Sequence, residues 1–329
     1  MKTNFGVIII AISLLLSCGG NVQQENASSQ DDKIYIQRMT GCSESVNGII
    51  YVMAGMTMTD NLSEVGAYNI LTKKWEAKAS IPTPRSLASS EVYANDIYIF
   101  GGRNGNNILS IVEKYSTTEN KWSTCATMAK ARWSLMTCET NDTIYAFGGI
   151  SGAGNNRKAL DIVEAYNPVS NSWKSIGKMP ESRQGAAIAV VNGLIYIISG
   201  KIASYAETTS GDQITDNVYS FNPKTKEWAL VSAIPTGRTG AKAVVANGAI
   251  FVVGGVAISG DFPTAIDVFD PLLNKWSTGP NLSSGRSGHM CVLQGDSIII
   301  IGGTSSKTGE ERSICNSMET INISEYPKK

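Results

Sequence analysis

A single histidine, His289, is all the imidazole this chain of 329 residues contains. That excludes a copper or iron site built on paired histidines. Any Ser-His-Asp machinery would have to use His289, and no nucleophile-elbow sequence stands beside it. Neither sign of charge is in excess: 28 basic and 28 acidic residues give a formal net charge of +0. Nothing is left over to neutralise a phosphate backbone, which argues against nucleic acid as a partner. Cysteine is scarce, with six residues and no C-x-x-C spacing, so a zinc site is poorly supported. No metal and no organic cofactor are expected. A sustained 3.6-residue period is also missing beyond the N-terminal segment, so helix is a minor component. The one clear apolar run, Val7 to Leu16, is too short to span a bilayer.

That run follows Lys2 and precedes Ser17-Cys18-Gly19-Gly20, the layout of a secretory signal. Its end, Leu15-Leu16-Ser17-Cys18, resembles a bacterial lipobox, in which Cys18 would carry lipid and begin the mature chain. The alternative is an ordinary signal peptide that happens to contain a cysteine. The lipobox reading predicts a signal over 1–17, a polar tether over 18–32 and a folded body over 33–329. It places the protein in the bacterial cell envelope, held to the membrane by lipid on Cys18, on the periplasmic or surface side of the outer membrane. Without lipidation the protein would be secreted. If Cys18 is lipidated, five cysteines remain, and an odd number argues against a complete disulfide framework. Cys42 and Cys291 fall on the first and last repeat described below. A disulfide between them is one possibility, and buried free thiols acting as small hydrophobes are the favoured one.

What the chain has in quantity is internal repetition. A Trp is followed ten residues later by an Arg five times: Trp75/Arg85, Trp122/Arg132, Trp173/Arg183, Trp228/Arg238 and Trp276/Arg286. An aromatic stands seven residues before each Trp, at Tyr68, Tyr115, Tyr166, Phe221 and Phe269. Gly-Gly or a near match follows each Arg: Ala54-Gly55, Gly101-Gly102, Gly148-Gly149, Ser199-Gly200, Gly254-Gly255 and Gly302-Gly303. A period of about 50 residues signals a repeat architecture. In the unit from Arg183 to Trp228, Gly185 to Val191 is small and then β-branched, and Asn192-Gly193 is a hairpin turn. Leu194 to Ser199 is a second strand, Val218 to Phe221 a third, and Glu227-Trp228-Ala229 opens a fourth. Four short antiparallel strands per unit make a propeller blade, and the abundance of glycine (32 residues) suits many tight turns.

These residues resemble the Kelch family, whose repeat has an Arg with small residues on the first strand, Gly-Gly closing the second, Val-Glu-x-Tyr on the third and Trp on the fourth. Val112-Glu113-Lys114-Tyr115 and Val163-Glu164-Ala165-Tyr166 match almost letter for letter, and the resemblance runs from about 34 to 323. It implies an all-β, six-bladed Kelch-type propeller with four antiparallel strands per blade. The sixth blade lacks a Trp-bearing strand at the C-terminus, so the segment before Arg38 is expected to supply it. A short C-terminal strand over Ser324 to Lys329 is the competing closure. His289 stands where Kelch repeats often place a histidine and is read as structural.

The arginines Arg38, Arg85, Arg132, Arg183, Arg238 and Arg286 recur at the start of the first strand. Antiparallel order puts that point at the same end of the propeller as the loop between strands two and three. This second loop set varies in length, from nine residues (Met56 to Glu64, Arg103 to Ile111) to seventeen (Lys201 to Asn217). Variable loops on a rigid scaffold are where recognition concentrates. A ring of Arg at that mouth would favour an anionic ligand, with Trp133 and Tyr205 as further contacts. The alternative is that each Arg pairs inside its own blade, with Glu113, Glu164 or Glu319, or with loop carbonyls. The reading for function is a binding module for a protein or glycan, with anionic ligands among the candidates. The alternative is an enzyme resembling the periplasmic Kelch sialic-acid mutarotases, for which Glu91 and Glu139 are the nearest candidate acids or bases.

Overall fold

The computed structural model of the chain describes residues 35–152, 156–202, 213–305 and 312–326. All its regular elements are β-strands. Blade one runs Cys42–Val46, Ile49–Met53, Val65–Asn69 and Lys74–Lys78, in that spatial order from the inside out. The innermost strands of the next five blades are Ser89–Tyr93, Met136–Thr140, Ala187–Val191, Lys242–Ala246 and Met290–Gln294. Each lies beside the next, and the sixth returns to the first, so the ring is closed. The protein is an all-β, six-bladed propeller of antiparallel sheets.

Strand composition follows radial position. The second strand of each blade, such as Asp96–Phe100 or Ser297–Ile301, is buried at four of its five positions. Neighbouring blades cover it on both faces, so it reads as a continuous apolar run rather than an alternation. The fourth strand alternates exposed residues with a half-buried Trp, as at Lys121–Cys125, because only one of its faces meets another blade. All six blade-to-blade interfaces hold an apolar cluster. At the closing interface Ile50, Val52 and Tyr68 of blade one pack on Met290, Val292, Ile299 and Ile301 of blade six.

Polar ties cross the same interfaces. In blade two the Tyr115 hydroxyl donates to Asn120 Oδ1 (2.7 Å), which also accepts from the Ala79 N–H of blade one (2.8 Å). Trp122 Nε1 then donates to the Ala79 carbonyl (2.8 Å). Tyr166, Asn171, Ala126 and Trp173 repeat the arrangement one blade on. The Tyr and Trp of the repeat therefore pack and hydrogen-bond between blades.

Sheet six has three strands among the described residues. Tyr326 turns back to meet the Phe251 ring edge-on at 5.3 Å, and 324–326 form a turn rather than a strand. Tyr35 stacks on Trp75 of blade one at 6.3 Å. Of the segment before Arg38 expected to supply the missing strand, residues 35–37 form no strand, and the rest lies outside the described residues, as do Cys18 and the tether. The possible Cys42–Cys291 disulfide is not formed: both thiols are free. Burial pushes Cys42 up to about 11 and Cys291 to about 12, so both are protonated and unreactive at neutral pH.

The repeated arginines form the internal frame of each blade. Nη1 of every one donates to the carbonyl sixteen residues on, the first of the Gly-Gly pair: Ala54, Gly101, Gly148, Ser199, Gly254 and Gly302. Nη2 meets a carboxylate in five blades: Glu113, Glu164, Glu181, Asp267 and Glu319. The second Gly of each pair has φ between +87° and +98°. A Cβ on Gly149 would lie 2.8 Å from the Trp133 carbonyl, so close backbone approach requires glycine there. The first position is less strict, and Ala54 and Ser199 occupy it with φ of 53° and 56°.

Arg38 is the exception. Gly66 stands where the other blades place their carboxylate or Tyr219, and Arg38 Nη2 has no partner. Removing one member of a buried ion pair strands the other charge and costs about 3–5 kcal/mol. Arg132→Met, which leaves Glu164 buried and unpaired, is therefore expected to lose stability in that range in equilibrium urea unfolding. Arg38→Met strands no carboxylate and should cost clearly less. Equal losses at the two positions would contradict this account.

Candidate functional site

The six arginines do not form the ligand-binding ring that their position at the mouth suggested. Arg38, Arg85, Arg132, Arg183, Arg238 and Arg286 are 0–2% exposed. Each is held by its own blade, so a ligand at the mouth meets none of their guanidinium groups. Burial lowers the pKa of Arg38 and of Arg132 to about 10, partly offset by Glu64 and Glu164, and both stay charged at neutral pH.

In five blades the residue after the Arg is partly exposed at the mouth, and in blade two it is the buried Ser86. In every blade the backbone of that residue pairs with the residue after the Gly-Gly, tying the entry loop of a blade to the loop between its second and third strands. These bridges are Met39–Met56, Ser86–Arg103, Trp133–Ile150, Gln184–Lys201 and Ser287–Thr304, with Thr239–Val256 inside a short strand pair. Backbone fixes the twelve positions; Ser86 and Ile150 are buried there, and the other ten side chains are at least partly exposed. Eleven of the twelve are small, aliphatic, uncharged or singly basic, and Trp133 is the one aromatic.

Trp133 of blade three is met by Arg103 of blade two, whose guanidinium carbon lies 5.2 Å from the ring centroid. Arg157, from the loop of blade three itself, lies at 5.8 Å. With Gly105, Asn106, Ile108 and Gly152 they line a cavity of about 270 Å³. Arg103 has no carboxylate partner among the described residues. Partial burial lowers its pKa, and repulsion from Arg157 lowers it further. Two like charges held against one indole favour an incoming group that is anionic or hydrogen-bond accepting and has a flat or apolar part. Met58 and Ile258, both over half exposed, add apolar surface on loops at the same end. Tyr205 lies outside the described residues. Sequence reasoning found Trp133 but missed Arg103 and Arg157. Arg103 had a signal, the register position directly after Gly101-Gly102; Arg157, deep in a variable loop, had none.

A second cavity, of about 530 Å³, is the central channel, walled by the six innermost strands. Ser43, Glu44, Ser90, Glu91 and Thr137 make its wall polar on blades one to three, whereas Ala189, Val244 and Val292 line it on blades four to six, where Lys242 is the one charged group. Ser90 Oγ donates to Glu44 Oε1 (2.5 Å), and Thr137 Oγ1 donates to Glu91 Oε1 (2.9 Å). Desolvation raises Glu44 to about 7, against hydrogen bonding from Ser90 and the attraction of Lys242. Desolvation, together with the Glu44 charge, raises Glu91 well above the ordinary carboxylate range. Glu139 is partly buried near the hairpin end, and desolvation raises its pKa. The two glutamates weighed as candidate acids or bases thus sit in the channel and at its far end, apart from the Trp133 cluster. His289 is fully buried, neither ring nitrogen has a partner, and desolvation lowers it to about 3. It is a neutral packing residue.

The architecture and the Arg–Gly-Gly frame define a Kelch-type propeller, and comparison with known proteins agrees. The family model of the Attractin/LZTR1 β-propeller matches residues 50–312, and the chain belongs to this family. Kelch-like protein 35 of Mus musculus is 35% identical over 106 residues, which are 32% of this chain and 17% of that protein. Beta-scruin of Limulus polyphemus is 29% identical over 108 residues, 33% of this chain and 12% of that one. Kelch-like ECH-associated protein 1A of Danio rerio is 29% identical over 102 residues, 31% of this chain and 16% of that one. The chain thus spans less than a fifth of the length of these curated relatives. The solved structure of YjhT superposes with a TM-score of 0.71 over 88% of this chain and 99% of that one, at 19% identity. That likeness concerns the fold alone.

Ionisation of Glu44 has a consequence for stability. An unfolded glutamate titrates near 4.5 and the folded one near 7. Between those values the native state holds the extra proton, so this group's contribution to stability falls as pH rises and levels off above about 7. Glu44→Gln removes the dependence. Its melting temperature relative to wild type is expected to rise between pH 5 and pH 8 in thermal scans. A constant difference across that range would show that Glu44 is ionised throughout.

Proposed function

We propose that this chain is a protein-interaction module that engages its partner at the loop-rimmed mouth, with Trp133 as the anchor and Arg103 and Arg157 as its polar arms. The observation that carries this reading is the Arg103–Trp133–Arg157 cluster at a junction between two blades. A half-buried Trp beside a guanidinium with no carboxylate partner among the described residues has the composition of an interface hot spot. Support also comes from the family: the name of one relative, Kelch-like ECH-associated protein 1A, records association with another protein. An acidic or carboxylate-bearing segment suits the two guanidinium groups, and Met58 and Ile258 extend the contact as apolar surface. The lipobox-like Leu15-Leu16-Ser17-Cys18 supports the further reading that the chain is tethered in the cell envelope through Cys18, and on that reading the partner is an envelope or extracellular protein.

Truncating a central aromatic or arginine anchor costs 2 kcal/mol or more, about thirtyfold or more in Kd. Once a partner is captured from envelope extracts and identified, Trp133→Ala and Arg103→Ala should each weaken binding by about that factor. Arg238→Lys, on the far side and inside a blade, should leave binding unchanged in any variant that retains its fold. Binding that is insensitive to Trp133→Ala would remove this site from the interface.

A further inference from the structure

The face opposite the mouth carries the turns between the third and fourth strands. Three of them end in exposed apolar side chains: Leu71 in blade one (92% exposed), Val169 in blade three (79%), and Leu272 and Leu273 in blade five (72% and 66%). Blades two and four place Thr118-Glu119 and Lys224-Thr225 at the same points. The apolar tips therefore fall on alternate blades, a third of a turn apart, and three such points define a plane. The turns are internally braced. Asn69 Oδ1 accepts from the Leu71 and Thr72 N–H groups, Asn167 Oδ1 from Val169 and Ser170, and Asp270 Oδ1 from Leu272 and Leu273. The leucines and valine are held outward on rigid supports.

Basic charge predominates around these tips. Lys73, Lys74, Lys174 and Lys275 flank them and are exposed. The one carboxylate in the three turns, Asp270, is turned onto the turn's own N–H groups. Of the other acidic groups, Glu76 lies two residues beyond Lys74 and is paired with Lys78 at 2.7 Å, and Asp96 is paired with Lys114 at 3.0 Å. Glu119 and Glu227 stand at the polar-tipped turns, and Asp142 and Asp296 on the inner hairpins. Going back from Arg38, the described chain begins at Tyr35, stacked on Trp75 directly after Lys74. Apolar tips ringed by lysine match the depth profile of an anionic bilayer surface, with apolar side chains below the headgroups and ammonium groups among them.

We propose that this face docks on an anionic phospholipid membrane, with Leu71, Val169, Leu272 and Leu273 entering the interfacial layer and the four lysines meeting the headgroups. Three contacts prevent rocking and leave the mouth directed away from the bilayer. The proposal rests on the turns and not on the partner-binding site, so the two fail separately.

An apolar N-terminal segment would sediment with vesicles on its own, so the test is a local one. Amide hydrogen exchange of the full chain is measured with and without phosphatidylglycerol vesicles, and again with phosphatidylcholine vesicles. Phosphatidylglycerol is expected to slow exchange about tenfold at 69–75, 167–173 and 270–276, with no change at 103–111. The variant Leu71→Ser/Val169→Ser/Leu272→Ser/Leu273→Ser should lose that protection at an unchanged melting temperature. Lys73→Gln/Lys74→Gln/Lys174→Gln/Lys275→Gln should abolish the preference for the anionic lipid. Exchange that is equal with and without vesicles would overturn the proposal. So would protection that persists in the serine variant, or that depends on protein concentration rather than on lipid, the sign of a second copy covering the face.

Discussion

Every blade is organised around a buried guanidinium. A radial sheet of four short strands has little to fix how its inner hairpin sits against its outer one, because the loop between them is long and variable. The Arg at the entry to each blade fixes it by donating to the carbonyl that ends the second strand and, in five blades, to a carboxylate near the third. Taking six such charges out of water carries a desolvation cost that only multiple hydrogen bonds offset. Blade four shows that the carboxylate need not come from one fixed position: Tyr219 occupies the usual place and Glu181 reaches the Arg from the entry loop at 2.7 Å.

The fold was legible because its constraints are local and repeat. Trp122 and Arg132 stand in the same relation as Trp173 and Arg183 because each blade meets the same packing problem. The interior role of the arginines was only half legible. Spacing places an Arg at the mouth, but whether its side chain turns inward depends on partners such as Glu113 and Glu164 that lie on another strand. Those glutamates belong to the same repeated pattern, and their recurrence favours the interior role. Arg157 was not legible at all, since a long loop gives no register from which to infer what it lies against. The two channel carboxylates, Glu44 and Glu91, share a register position, but their mutual repulsion emerges only once the ring brings blades one and two together at the axis.

The two faces of the disc differ in what varies. On the mouth side the loops differ in length from blade to blade, and one junction collects an indole and two guanidinium groups. On the opposite side turn length hardly changes, and what alternates is the polarity of the tips. One face thus suits selection of a particular partner, and the other suits contact with an extended and chemically uniform surface.

The bridges between the residue after each Arg and the residue after each Gly-Gly are made by peptide groups alone. Apart from Ser86 and Ile150, which are buried, the side chains at those twelve places contribute little to holding the ring together. An exchange such as Trp133 for a smaller residue alters what the mouth attracts and leaves the scaffold's folding untouched. The propeller can therefore acquire and lose specificities one substitution at a time, at neighbouring junctions, without passing through an unstable intermediate sequence.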